Sequence, residues 1–317
     1  MQSKVIIIGA GMTGLACAQR LVRAGLDPLV LDKGRGIGGR MATRRVKVAE
    51  REISFDHGAQ YFSVRDPAFA AAISDLGIAC ALWDDGAAEA HLVGVPGMSS
   101  VAQAMAAGLE VQLGTTVTAV RAVPGGWELN VDQERLATQH LVITVPAPQA
   151  ATLLGPRHSF QSRLADITMA PCLTFMAAFE SNTPRPFASR AAADHPLAWI
   201  AHDGSKPGRA NGLTTWVAQA SVAWSEMHLE ATPEVIAARM LPLLAEEIGV
   251  TPELAVYAAA HRWRYARTLT PIGQPFLSSD DGILHVGGDW CLGARVEAAW
   301  LSGTAIADAI ISQSGLA

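Results

Sequence analysis

The sequence predicts an α/β protein in which a doubly wound parallel sheet is interleaved with an antiparallel one. Three observations predict it. The β-branched run Val5-Ile6-Ile7-Ile8 passes through glycines at positions 9, 11 and 14 into an amphipathic segment, Leu15 to Ala24. A matching strand, glycine pair and helix stand near the other end: Gly282 to Val286, Gly287-Gly288-Asp289, and an Ala-rich run from Ala294 to Ile311. Between them, residues 151–268 are dominated by long strand-like runs, the pattern of an antiparallel sheet.

The first segment reads as strand, tight turn and helix. Gly9 permits the turn, Gly11 lets an anion approach the backbone, and Gly14 lets the helix pack on the strand. A pyrophosphate there would meet the free amides of the helix start, including Met12 and Thr13, where negative charge gains about 0.3–1 kcal/mol. Gly25 closes the helix, Leu29-Val30-Leu31 makes a second strand, and Asp32 ends it, followed by Lys33. A carboxylate in that place accepts both hydroxyls of an adenosine ribose and repels a 2′-phosphate. FAD and NAD both satisfy these residues. Gly38-Gly39-Arg40-Met41 follows before a third strand could form, bringing a second glycine loop and a forked guanidinium to the same pyrophosphate. A plain nicotinamide dehydrogenase has no use for that second clamp.

Composition bounds the remainder. The chain has 317 residues, half of them apolar, enough for about two domains and a large core. Its net charge is −5 and its only lysines are Lys4, Lys33, Lys47 and Lys206, which argues against nucleic acid or an anionic membrane as partner. Cys17, Cys80, Cys172 and Cys291 lack metal or CxxC spacing, so neither disulfide nor metal is expected and a reducing cytosol suits them. Lys4, the apolar run and Ala16-Cys17-Ala18 imitate a secretory signal. The glycine fingerprint and the second strand explain the same residues better, and a cytoplasmic enzyme is expected. No apolar stretch approaches the roughly 20 residues of a membrane span.

In chain order, Arg44 to Ile53 is a charged connector with strand-like alternation, leading into Ser54-Phe55-Asp56-His57-Gly58-Ala59-Gln60-Tyr61-Phe62. That stretch reads as a strand turning at Asp-His-Gly, where it could wall a planar ligand. Asp66-Pro67 starts a helix with Phe69, Ile73 and Leu76 on one face, and residues 78–97 read as short strands. After a helix from Ser99 to Ala107, Leu109 to Leu113, Thr116 to Val120 and Trp127 to Val131 are expected to form a small antiparallel meander, with Val117 among the cofactor contacts. Leu141 to Val145 returns to the parallel sheet. In the middle region strands are expected at Leu173–Phe179, Leu197–Ala201, Leu213–Ala220 and Leu254–Trp263, and a helix capped by Thr232-Pro233 runs to Gly249. Trp199, Trp216, Trp224 and Trp263, half of the eight tryptophans, lie there; large rings chiefly build cores, and some could face a flat substrate.

The terminal strand and helix return to the first site. Asp289 is placed to bond a ribityl hydroxyl, and Gly288 lets the backbone approach. Amides near Arg295 and Val296 are placed to face a flavin's pyrimidine carbonyl. Both ends serving one ligand favours FAD, bound noncovalently, over NAD. The division expected is residues 1–62, 98–150 and 270–317 for a FAD-binding Rossmann-like domain, and 63–97 and 151–269 for the substrate domain.

Taken together, Gly9-x-Gly11-x-x-Gly14, Asp32-Lys33, Gly38-Gly39-Arg40-Met41, Asp56-x-Gly58-Ala59-Gln60-Tyr61 and Gly287-Gly288-Asp289 resemble the renalases, a branch of the flavin amine oxidase superfamily. The resemblance continues through Gly97-Met98-Ser99-Ser100, Val145-Pro146-x-Pro148 and Trp263-Arg264, and so spans the chain. It implies a p-hydroxybenzoate-hydroxylase-like fold and oxidation of misreduced nicotinamide dinucleotides, those with hydride on ring carbon two or six, with dioxygen reduced to hydrogen peroxide. Animal renalases carry histidine where this chain has Tyr265, and a different stretch after Gly-Gly-Asp. No residue is singled out as a catalytic acid or base. Tyr61, Trp216, Trp263, Arg264 and Tyr265 are the candidates for the substrate pocket, with Arg209, Arg264 and Lys206 as sources of positive charge for an anionic substrate. Lys206, in Asp203-Gly204-Ser205-Lys206-Pro207-Gly208, reads as an exposed turn residue. Two other classes remain open at this point: a flavin oxidase of small amines, reducible by them, and a redox-silent FAD-binding protein.

Overall fold

The computed structural model describes residues 4–313 apart from positions 133 and 211. The first three and last four positions of the expected domain division lie outside the described residues. A six-stranded sheet runs in the order Phe276–Ser278, Leu284–Gly287, His140–Ile143, Val5–Ile8, Pro28–Asp32, Glu110–Leu113. All its pairs are parallel except the edge strand Phe276–Ser278. Val5–Ile8 and His140–Ile143 are buried throughout, as a strand covered on both faces must be.

One face carries the helices Met12–Arg23 and Val296–Gln313. They pack backbone to backbone at Gly303, where a Cβ would lie 2.1 Å from the Thr13 carbonyl oxygen. Both helix starts are thereby brought to the same edge of the sheet. The other face is covered by a three-stranded meander, Val117–Val123, Gly126–Val131 and Glu134–Thr138, whose Trp127 and Leu129 join the core of Ile6, Leu141 and Ile143. Glu110–Leu113, which the sequence assigns to that meander, is not part of it. It extends the parallel sheet beside Pro28–Asp32, and its polar alternation reflects an edge position with one side in solvent.

The second sheet is antiparallel, in the order Ser189–Ala191, Leu197–His202, Thr214–Ala220, Thr168–Phe179, Ala255–Thr270. Helix Pro233–Ile248 covers one face, burying Ile236, Met240 and Leu244 against Phe175 and Trp216. Its start is capped by the Thr232 hydroxyl, which accepts from Val235 N–H, and its end by Gly249 at φ 71°. The hairpin Thr43–Val48 and Arg51–Asp56 lies on part of the opposite face, with Ile53 and Phe55 against Met176, Ala178 and Val217.

Helix Pro67–Asp75 is capped by Asp66, whose carboxylate accepts from Ala68 and Phe69 N–H. Phe69 and Ile73 join the core of the first and last helices, and the Phe69 ring lies 5.4 Å from that of Trp300. This helix therefore packs with the parallel-sheet unit, whereas the sequence division assigned residues 63–97 to the substrate unit. Among the described residues no helix is long and apolar enough to cross a membrane.

Candidate active site

Two glycine loops meet at the edge of the parallel sheet. Gly9, at φ 112°, turns the chain, and Gly14 packs so closely that a Cβ would lie 1.9 Å from the Gly9 carbonyl oxygen. A Cβ on Gly11 would meet nothing within 4 Å. That open side lies over the start of a helix with no side-chain cap and no acidic residue in its first turn, so its amides remain available to an anion. Gly38 N–H donates to the Ala10 carbonyl at 2.9 Å, which seats the second loop on the first. Gly39 follows at φ 55°, 3.5 Å from the Gly11 Cα by its Cβ position. This is a cradle with the shape and donors for a pyrophosphate.

Asp32 sits at the end of its strand, its carboxylate accepting from Ala10 N–H and Gly34 N–H, both at 2.6 Å. Thr115 N–H donates to the Asp32 carbonyl at 2.9 Å, and this brings the strand starting at Val117 alongside. Lys33 reaches Gln149 at the surface, 3.5 Å away. Met12, Thr13 and Met41 are buried, so at those positions the backbone is what faces the cradle.

Arg40 turns its guanidinium onto Asp289, with NH1 2.9 Å from Oδ2 and NH2 2.5 Å from Oδ1, while NH1 also donates to the Ala266 carbonyl at 3.0 Å. Burial works against the charge on Arg40, and the carboxylate outweighs it, raising the guanidinium above its ordinary range. Gly288 N–H is held by the Ser302 hydroxyl at 3.0 Å. Arg295 N–H donates to the Gly293 carbonyl at 2.8 Å, leaving Val296 as the first amide of the last helix. Next to it Glu297 is buried, its carboxylate accepting from Arg65 N–H at 2.6 Å and Asp66 N–H at 2.8 Å.

The segment His57 to Tyr61 crosses the uncovered face of the antiparallel sheet. Strand register aligns Trp199, Gln219, Thr174 and His261 in one row across four strands. His57 stands over one end, its ring 4.7 Å from His261 and 5.3 Å from Trp263, and the Trp263 indole donates to the His57 carbonyl at 2.7 Å. Gln219 donates to the Gly58 carbonyl at 2.6 Å in the middle, and Tyr61 lies 5.5 Å from Trp199 at the far end. Ala59 N–H donates to the Arg40 carbonyl at 2.8 Å, and a Cβ on Gly58 would sit 1.9 Å from that same oxygen. The crossing segment is thus locked to the second glycine loop, and Tyr61, Trp263 and Tyr265 are left half-buried beside it.

Tyr61 is backed by a further pair. His91 stacks on it with ring centroids 3.4 Å apart and planes at 18°. The His91 Nδ1 lies 3.0 Å from Asp85, which also accepts from the Ser189 hydroxyl at 2.6 Å. Burial, then the nearby Asp85 and Glu89 carboxylates, raise the Tyr61 hydroxyl above its usual range.

Several expected site residues stand elsewhere. Trp216 is fully buried on the helix-covered face, with Phe187 5.3 Å away, because its strand places it opposite Gln219. Arg264 also points to the helix side, where both guanidinium nitrogens meet Glu230 at 2.7 and 3.0 Å. Lys206 and Arg209 are buried, not exposed. Lys206 Nζ donates to Asp203 at 2.7 Å, Gln60 at 3.2 Å and Asp56 at 3.4 Å, and Arg209 pairs with Asp56 and donates to the Gly94 and Pro96 carbonyls. Asp56 further accepts from Thr43 at 2.7 Å and Met98 N–H at 2.9 Å. Two carboxylates and two cations therefore neutralise one another inside the protein, and Gln60 faces this cluster instead of the cradle.

Sequence reasoning missed Trp199, Gln219, His57, His261 and the Asp85–His91 pair. Strand alternation from Trp263 would have found His261; Asp85 and His91 are near neighbours in sequence but join the site only where His91 stacks on Tyr61, and the others depend on pairings between distant segments. Cys291 is enclosed, and burial pushes its thiol up to about 12. Burial likewise pushes Cys172, on the uncovered face, up to about 11. Both are neutral thiols.

Residues 7–76 match the NAD(P)-binding Rossmann-like domain, and residues 79–311 match the flavin containing amine oxidoreductase family. Mouse renalase is 27% identical over 93% of this chain and 97% of its own. Cyclohexylamine oxidase from Brevibacterium oxydans has the same fold, with a TM-score of 0.78 at 15% identity over 99% of this chain and 100% of that one. A putrescine oxidase bound to putrescine gives 0.73 at 16% identity over 98% and 99%.

Proposed function

The chain belongs to the flavin containing amine oxidoreductase family, and from that premise we propose that it oxidises the 2- or 6-dihydro isomers of NAD(P)H to NAD(P)+ with dioxygen. It is an FAD-dependent oxidoreductase, similar to mouse renalase along nearly its whole length. The overall change is isomer plus dioxygen plus a proton, giving NAD(P)+ and hydrogen peroxide. Bound FAD supplies the two-electron acceptor and the route of those electrons to dioxygen.

In this reading Gly11, Met12, Thr13, Gly14 and Gly39 would hold the pyrophosphate through backbone amides, Asp32 would accept from the adenosine ribose, and Val117 would contact the adenosine end. Arg40 and Asp289, paired as one unit, would bind the ribityl part, and Gly288, Arg295, Val296 and Ala59 would hold the flavin ring through backbone contacts. Tyr61, Trp263 and Tyr265 line the space where the reacting ring of the substrate lies flat.

One observation carries the choice of substrate. The uncovered sheet face presents aromatic rings, the Gln219 amide and a neutral Cys172 thiol. His57 is held down to about 4 by burial, by His261 and by Arg44, so its imidazole is uncharged near neutral pH. The one lysine beyond the first fifty residues is sealed against Asp56 and Asp203. An imidazole held near 4 is a weak proton acceptor, so among the described residues an ammonium substrate meets no strong base there. A dihydropyridine gives up hydride without losing a proton first, so orientation and exclusion of water supply the catalysis. Amine oxidation is the competing reading, since cyclohexylamine oxidase and putrescine oxidase share the fold. The test is product analysis under air: each isomer should yield equal amounts of NAD(P)+ and peroxide. An aldehyde or ketone with ammonia from an amine, at a greater rate, would reverse the choice.

A further inference from the structure

A dinucleotide substrate brings a diphosphate as well as a reacting ring, and most nearby cations are already engaged. Arg262 and Arg264 both turn to Glu230, at 3.5 and 2.7 Å. Arg40 is forked onto Asp289, and Lys206 and Arg209 are sealed inside with Asp56 and Asp203.

Arg267 is not so engaged, and it returns to the face of Trp263, four positions earlier, across an irregular stretch that keeps that alternation. From Trp263 to Arg267 the strand Ala255–Thr270 advances four positions, while its partner moves only from Cys172 to Ala170. Residues paired directly across two strands share a face. Arg267 therefore stands with Ala170 on the side of Cys172 and Thr174, the uncovered side. It is exposed and, among the described residues, makes no ion pair. Its positive charge reaches Tyr61, where it opposes the effect of Asp85 and Glu89 on the hydroxyl. Neither carboxylate forms an ion pair with it: Asp85 is bound to His91 and Ser189, and Glu89 to Arg65.

We propose that Arg267 binds the diphosphate of the substrate at the rim of this face, an inference that rests on the dinucleotide reading above. A planar guanidinium offers two parallel N–H donors to phosphate oxygens. Tyr61 and Tyr265 stand next to it to carry the flat ring that the diphosphate is tethered to. Arg264, on the opposite face of the same strand and paired with Glu230, is the matched control.

The experiment compares wild type, Arg267→Ala, Arg267→Lys and Arg264→Ala in the FAD-loaded enzyme. Each receives the dihydro isomers of NAD, the corresponding dihydronicotinamide riboside, which has no phosphate, and ADP-ribose as a redox-inert ligand followed by the flavin absorbance. Arg267→Ala should raise KM for the dinucleotide and the Kd for ADP-ribose by about tenfold or more, leave the riboside unchanged, and flatten the salt dependence. Arg267→Lys should fall between, and Arg264→Ala should match wild type. Equal ADP-ribose affinity in wild type and Arg267→Ala overturns the inference, whatever the isomers do. A wild type that binds ADP-ribose through Arg267 yet oxidises no isomer keeps this site and removes the proposed reaction.

Discussion

Arg40 and Asp289 are 249 positions apart in the chain, yet guanidinium and carboxylate meet side by side at 2.9 and 2.5 Å. The pair joins the second glycine loop to the Gly-Gly-Asp turn, and through NH1 to the Ala266 carbonyl it reaches the antiparallel sheet. The sequence suggests separate tasks, pyrophosphate for one and ribityl hydroxyl for the other. In the structure each fixes the other's position, so neither can be removed alone without disturbing its partner.

Asp289→Ala should therefore weaken FAD by about 1.5–3 kcal/mol, the scale of a charged hydrogen bond, and also lower the melting temperature of the apoprotein. Arg40→Lys keeps the charge but loses the fork, and should weaken FAD by less. Fluorescence titration of apoprotein with FAD measures both. An Asp289→Ala variant that binds FAD as wild type does would remove the pair from the cofactor site.

Asp32→Ala removes the acceptor for Ala10 and Gly34 N–H as well as the ribose contacts. FAD affinity should fall by a similar amount, about 1.5–3 kcal/mol. Unchanged affinity in a folded variant would mean that the adenosine lies elsewhere.

Lys206→Met leaves Asp56 and Asp203 facing Arg209 alone in a fully buried setting. Breaking such a cluster on one side costs about 3–5 kcal/mol. Pairing it with Asp203→Asn should restore part of that stability, since the charges balance again. Urea denaturation of the holoprotein reads both. A Lys206→Met variant of normal stability with slowed flavin reduction would instead mark Lys206 as acting on the flavin.

Burial holds His57, His202 and His285 down to about 4. Each is neutral in the folded state and takes up a proton near 6.5 when unfolded, so the unfolded state binds more protons between those values. Stability is complete above about pH 6.5 and falls as pH drops toward 4, by up to about 1.4 kcal/mol per pH unit for each histidine. Denaturation midpoints across this window should show the slope, and His285→Leu should reduce it by one proton's worth. An identical slope in that variant would contradict the assignment for His285.

Much of the cofactor half is legible in the sequence because its rules are local. Gly9, Gly11 and Gly14 are spaced by one turn and the helix it opens, and Asp32 ends the next strand, so nothing distant is needed to read them. The sheet face is harder. Trp199 and Trp216 look alike in sequence, yet one lies beside Tyr61 and the other under helix Pro233–Ile248, because facing depends on strand register and on which side the helix lands. Trp263-Arg264-Tyr265 reads as one patch, but alternation sends Arg264 to Glu230, while Arg267, four positions past Trp263, returns to the uncovered face. Lys206 sits in a loop of turn-forming residues that is buried only because Asp56, arriving from 150 positions away, lies against it.

The most direct test of the proposed reaction is anaerobic mixing of the FAD-loaded enzyme with 2-dihydro and 6-dihydro NAD(P)H, ordinary 4-dihydro NADH, and a set of primary amines including cyclohexylamine and putrescine. Flavin absorbance should bleach rapidly with at least one isomer, little with 4-dihydro NADH, and not at all with amines. Faster bleaching by an amine than by every isomer would contradict the account.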